Sequence, residues 1–94
     1  MTYRHYSPKE IYILRTLLDM TAEDLGELVG TTKQTIRNVE LEKHYTTPLL
    51  IALTVVLDYI CEEKCGIKGD ALLEVYFESA KKMEELIEKK IKKN

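Results

Sequence analysis

Between Gly30 and Glu40 the chain reads Gly-Thr-Thr-Lys-Gln-Thr-Ile-Arg-Asn-Val-Glu, and this stretch limits the possible folds more than any other. Gly30 can take the left-handed conformation that ends one helix, and Thr31 or Thr32 can cap the next, so a sharp bend between two short helices is expected. On the second helix Ile36, Val39 and Glu40 fall to one side, while Lys33, Gln34, Arg37 and Asn38 project largely to the other. One side is suited to a core, the other is crowded with hydrogen-bond donors.

Long amide and cationic side chains near a helix N-terminus match what a DNA major groove offers. Gln or Asn can pair with adenine, and Lys or Arg with guanine. The expectation is a helix-turn-helix corner whose second helix reads base pairs in double-stranded DNA. A solvated face of an all-helical protein has the same composition. The net charge of -2 argues against indiscriminate nucleic-acid binding, which calls for a strongly basic surface. A sequence reader needs only a local positive patch, and Lys33, Arg37, Lys43 and His44 supply one.

The flanking sequence reads as further helices. Residues 1–6 form a polar, Tyr-rich lead expected to fray as an arm, with Arg4 and His5 as phosphate or minor-groove candidates. Ser7-Pro8-Lys9-Glu10 has the form of a capping box with Pro at the first helical position, starting a helix to about Asp19 with Ile11, Leu14, Leu17 and Leu18 inward. Thr21 caps a second helix with Glu23 and Asp24 in its first turn, where negative charge suits the dipole, and with Leu25, Leu28 and Val29 inside. Gly26 in that helix costs about 1 kcal/mol relative to Ala, which close approach of the next helix would explain. The third helix ends near Leu41, and Glu42 to Thr46 is a polar connection. Thr47-Pro48 opens a fourth helix whose run from Leu49 to Leu57 is apolar nearly all round and is expected mid-core, with Gly66 as its stop.

Asp70 is expected to cap the last helix. Leu73, Tyr76, Ala80, Met83 and Ile87 keep a three-four spacing like a heptad seam, widened by Leu72, Val75, Phe77 and Leu86. The helix is expected to pack on its own domain near Ala71 to Phe77 and on a second chain further along, with Tyr76, Ala80, Met83 and Ile87 as dimer contacts. Lys89, Lys90, Lys92 and Lys93 suit a helix C-terminus without any nucleic-acid role. The division expected is a DNA-binding domain over 1–66 and a dimerisation extension over 67–94.

Other classes find little support. Cys61 and Cys65 have no Cys or His pair at zinc-finger spacing elsewhere, so reduced thiols of a cytoplasmic protein are expected, with no metal and no cofactor. No signal peptide opens the chain, and Leu49 to Leu57 is far short of a membrane span. His5 and His44 lack a nucleophile arrangement, and no Gly-rich phosphate loop occurs, so no enzyme is expected.

Arg15, the helix from Leu25 to Val29, Gly-Thr-Thr-Lys-Gln-Thr-Ile at 30–36, Glu40 and the Pro48-Leu-Leu-Ile-Ala-Leu helix together resemble the Cro and phage-repressor type of helix-turn-helix, the XRE-like regulators. The resemblance covers roughly residues 8–60. It implies an all-α, lambda-repressor-like domain of about four helices, here followed by a long C-terminal helix. It implies base reading by Lys33, Gln34, Arg37 and Asn38, with a cap at Thr32 that also meets phosphate. Arg15 and Glu40 match a pair that in the family ties the first helix to the end of the reading helix. Two departures stand out. Ala22 occupies a position often held by Gln, leaving backbone N–H groups of Thr21 and Ala22 as the phosphate donors of that helix. Leu41-Glu42-Lys43 replaces a Gly that commonly follows the reading helix, leaving Lys43, Tyr45, Thr46 and Thr47 as backbone contacts.

The function implied is a sequence-specific transcriptional regulator, a repressor occluding a near-palindromic operator as a homodimer. Such a dimer sets two reading helices about 34 Å apart. The alternative is a protein-binding adaptor on the same scaffold, an antitoxin or phage-encoded inhibitor with the last helix as its interface, which the acidic net charge and Glu42 favour.

Overall fold

Ser7 begins the first helix by reciprocal capping. Its Oγ accepts from the Glu10 N–H at 3.2 Å while the Glu10 carboxylate accepts from the Ser7 N–H at 2.9 Å. The structure is a computed structural model that describes residues 4–92. The start of the expected N-terminal arm, and Lys93, lie outside the described residues. The chain is all-helical over the described residues: α1 (Pro8–Leu17), α2 (Ala22–Val29), α3 (Lys33–Glu40), α4 (Thr47–Cys65) and α5 (Gly69–Lys92).

α1 stops short of Asp19. Leu18 is the C-cap and Asp19 takes the left-handed conformation at φ +57°, so the N–H groups of Asp19 and Met20 bond back to the carbonyls of Thr16 and Arg15, both at 3.1 Å. Ile11, Leu14 and Leu18 enter the core, whereas Leu17, at the margin of that stripe, stays 42% exposed. α2 also differs from its expected register. Its inner face is Ala22, Leu25 and Gly26, while Val29 is half-buried and Leu28 is exposed. Choosing the small residues over Leu28 lets α2 lie close to the chain that follows it.

Gly26 shows how close that is. A Cβ built on it would meet Thr31 O at 3.0 Å and the Thr32 carbonyl carbon at 3.1 Å, both backbone atoms. Gly30 closes α2 at φ +77°, Thr32 caps α3 by accepting from the Thr35 N–H at 3.2 Å, and Ile36 and Val39 are then fully buried.

α1 touches α3, α4 and α5, α4 touches α1, α2 and α5, and α2 packs on α3 as well, so α1 and α4 share the centre of the arrangement. α4 is not buried all round. Leu50, Leu53, Thr54, Leu57 and Cys61 form its buried face, while Val55 and Tyr59 are 64% and 65% exposed on the other. With four other helices among the described residues, two of them only eight residues long, the chain has no layer left to cover that outer face.

The N-terminal lead is anchored rather than frayed where it meets α4. Tyr6 is buried, its N–H donates to Thr54 Oγ1 at 2.9 Å and its hydroxyl donates to the Asp58 carboxylate. Desolvation and that carboxylate push the Tyr6 hydroxyl above its ordinary titration range. The same Asp58 oxygen accepts from the Gly69 N–H at 3.0 Å, so a side chain of α4 satisfies the first turn of α5. Asp70 therefore does not cap α5; it lies inside the first turn and accepts from the Ala71 N–H at 2.8 Å. A Cβ at 69 would fall 2.5 Å from the Tyr6 hydroxyl, so any residue larger than Gly would have to displace that hydroxyl from Asp58.

Leu72 and Leu73 bind α5 to the core, and from Lys81 to Lys90 every residue is exposed. With 24 residues at about 1.5 Å each, α5 is about 36 Å long, which gives the molecule its 52 Å long axis against 30 and 29 Å.

Two measurements probe these contacts. Gly26→Ala gains helix propensity of about 1 kcal/mol but drives a methyl into backbone, a strain of about 1 to 3 kcal/mol, so urea denaturation should show no stabilisation and a net loss of up to about 2 kcal/mol. Asp24, the partner of Thr21 in a second capping box, is held below the usual carboxylate range by the Thr21 N–H and hydroxyl. A carboxylate with a lowered pKa stabilises the fold above its ordinary value near 4, and that contribution drains as pH falls through the folded value. The difference in melting temperature between the wild type and Asp24→Asn should therefore be largest near neutral pH and shrink in acid.

Candidate nucleic-acid interface

The outward face of α3 starts at its N-terminus, where Lys33 and Gln34 are exposed beside the Thr32 cap. Gln34 Nε2 donates to Asn38 Oδ1 at 3.0 Å, one helical turn on, so two of the amide groups are already aligned with each other. Arg37 is exposed on the same helix and borders an open groove of about 500 Å³ with Tyr12, Arg15, Glu40 and Leu41. Asn38 is half-buried. The structure thus brings Lys33, Gln34, Arg37 and Asn38 onto one short helix whose opposite side, Ile36 and Val39, is fully buried.

What holds that helix is a fork of charge. Arg15 Nε donates to Glu40 Oε2 at 2.5 Å and Arg15 Nη2 to Glu40 Oε1 at 2.9 Å, while Nη1 donates to the Met20 carbonyl at 2.8 Å. The side chains are only 13% and 7% exposed, so the pair is largely withdrawn from water. Its hydrogen bonds to Glu40 raise the Arg15 pKa against an opposing burial effect. Tyr12 adds its ring under the guanidinium, 5.5 Å from carbon to centroid. Tyr12 escaped the sequence reading, although it stands three residues before Arg15 on α1 and hence on the same face.

The far end of α3 closes by a left-handed turn without glycine. Glu42 sits at φ +57°, and the N–H groups of Glu42 and Lys43 bond to the carbonyls of Val39 and Asn38 at 3.0 and 2.9 Å. This is the geometry for which glycine is favoured, and a side chain there costs about 1 kcal/mol. The turn leaves Lys43, His44 and Tyr45 exposed ahead of α4. Thr46 caps α4, its Oγ1 accepting from the Leu49 N–H at 3.3 Å, and Thr47 is exposed at the first position.

The start of α2 fits a phosphate less well than its sequence suggests. The Thr21 N–H is engaged by Asp24 Oδ2 at 3.1 Å, Thr21 Oγ1 accepts from the Asp24 N–H at 3.0 Å, and Ala22 is 6% exposed. The Asp24 carboxylate that does this, with exposed Glu23 beside it, stands where an anion would have to approach. The Thr-x-x-Asp spacing at 21–24 is the signal of that capping box in the sequence. Arg4 is exposed, and His5 is half-buried with Nδ1 3.2 Å from the Tyr6 carbonyl oxygen.

No protein-family model matches the chain, and no curated protein or solved structure matches it either. What this surface can do follows from its own chemistry. Among the described residues no group of three or more His, Cys, Asp or Glu is placed to hold a metal ion, and no helix is long and apolar enough to cross a membrane. Cys61 is buried, with its thiol pushed up to about 11 mainly by desolvation, and Cys65 is free and exposed.

The fork of charge can be tested by removing one half and then both. Arg15→Met strands the Glu40 carboxylate in a nearly dry site and should lower stability by about 3 kcal/mol. Arg15→Met with Glu40→Leu should recover much of that loss, because no unpaired charge remains. A single variant as stable as the wild type in a denaturant titration would mean that the pair is solvated and weak.

Proposed function

We propose that the chain is a sequence-specific double-stranded-DNA-binding regulator of the Cro and phage-repressor, XRE-like type. In this reading α2 and α3 form a helix-turn-helix and α3 enters the major groove. The observation that carries the reading is the set of exposed Lys33, Gln34 and Arg37 with half-buried Asn38 on a helix whose other side is locked by Ile36, Val39 and the Arg15–Glu40 pair. A surface meant only for solvent has no need of such anchoring, whereas base reading needs side chains placed to a fraction of an ångström.

The roles divide by chemistry. Gln34 and Asn38 offer amide edges to adenine, and Lys33 and Arg37 offer cations to guanine. Thr32, Lys43, Tyr45, Thr46 and Thr47 are the phosphate contacts, and they set register without reading sequence. Thr21 and Ala22 make at most a minor contribution, given the engaged Thr21 N–H. The net charge of -2 makes binding depend on this local patch, so it should be strongly salt-sensitive and weak on unrelated sequences.

The regulator acts as a homodimer through α5 and represses in the cytoplasm by covering a near-palindromic operator. Of the expected seam, Met83 and Ile87 are 60% and 54% exposed, Tyr76 is 38% exposed, and Ala80 is half-buried where α5 leaves the body. The same exposed stripe also favours a second reading, an adaptor that binds another protein.

Selection of bound sequences from a random duplex pool tests the function, with half-site symmetry reporting the dimer. On the selected site Gln34→Ala should lose about 1 to 3 kcal/mol and relax one base position. Lys43→Ala should instead weaken all duplexes alike and lower the salt slope by about 1. Equal losses for both variants on matched and scrambled duplexes would remove Gln34 from base reading. A pool with no enriched sequence would favour the adaptor.

A further inference from the structure

Among the described residues two apolar stripes remain uncovered on long helices, and they match each other. The first is the outer face of α4, where Val55 and Tyr59 are 64% and 65% exposed and the helix continues into exposed Glu62. The second is the free half of α5, where Met83 and Ile87 are 60% and 54% exposed and line a groove that ends at Lys90. The spacing is the same in both: 55, 59 and 62 in one, 83, 87 and 90 in the other. Each stripe is therefore one continuous row along a helix face, of equal length, and each ends in a charge of opposite sign.

We infer that α5 of one copy docks on the outer face of α4 in a second copy, with Val55 against Met83, Tyr59 against Ile87 and Glu62 against Lys90. The arrangement is reciprocal, so each dimer contains the contact twice. This inference rests on the homodimer reading given above and specifies its mating surface. It differs from pairing of α5 with α5. Parallel pairing of two free halves sets Lys90 beside Lys90, and antiparallel pairing about the middle of the stripe brings Lys82 beside Lys89. The α4 face carries no lysine from Val55 to Glu63 and offers Glu62 and Glu63 at the end where the α5 lysines arrive. Charge complementarity of this kind sets partner and register, while the apolar rows supply the buried area.

The test uses the full chain. Sedimentation equilibrium of Glu62→Lys or Lys90→Glu should show dimerisation weakened by about tenfold, since each change juxtaposes like charges twice per dimer. The double variant should return to within about threefold of the wild type. In a Cys65→Ser background, mixing Val55→Cys chains with Met83→Cys chains and oxidising should give a cross-linked pair that neither chain gives alone. Buried Cys61 remains in that background as a bystander. Cross-linking of Met83→Cys to itself, or a double variant no better than the single ones, would overturn the α4 docking while leaving the dimer intact. A wild-type chain that stays monomeric at every concentration would overturn the dimer and this contact together, and would leave the reading of α3 to be judged on duplex selection.

Discussion

The Arg15 guanidinium and the Glu40 carboxylate, paired through two hydrogen bonds at the junction of α1 and α3, decide whether the donor-rich helix has a fixed place. α3 is eight residues long, and an isolated helix of that length does not persist in water. Two buried side chains, Ile36 and Val39, hold it down by contact, but they fix no rotation by themselves. The planar fork does, because its two bonds are satisfied in one orientation only. The third donor of Arg15, on the Met20 carbonyl, ties the same charge to the turn that leads into α2.

That arrangement depends on how closely the chain can pass itself at the corner. Gly26 leaves no room for a methyl between α2 and the backbone of Thr31 and Thr32, and Gly30 supplies the left-handed residue that lets the chain reverse. The left-handed turns after α1 and α3 are made by Asp19 and Glu42 instead. Asp adopts that conformation more readily than Glu, so some strain is concentrated at the exit of α3, next to Lys43 and Tyr45. The core, the corner and the ion pair together present four polar side chains on a rigid support, and the proposed base reading rests on this rigidity.

Away from that surface the chain is less fully resolved into inside and outside. α4 and the free half of α5 both keep apolar rows in water, and the body has no further layer among the described residues to cover them. The tether from Tyr6 through Asp58 to Gly69 sets the point at which α5 departs, and so sets where its free half can reach. An assembly partner is the natural cover for surfaces of this kind.

Local chemistry was readable from the residues. Ser7 with Glu10, Pro8, Thr21, Thr32, Gly30 and Gly66 mark helix ends through bonds made within a few residues, so those boundaries follow from short-range rules. The polar face of α3 was readable for the same reason, since it depends only on helical spacing. Which side of α4 would be covered, why Leu28 and Leu17 stay outside, and what caps α5 were not. Those outcomes depend on which helices arrive, from distances of tens of residues along the chain. Composition determined that this protein would be helical and would carry a donor-rich helix after a glycine corner; only the tertiary arrangement decided which apolar rows found partners, because a helix presents every face alike until another surface covers one of them.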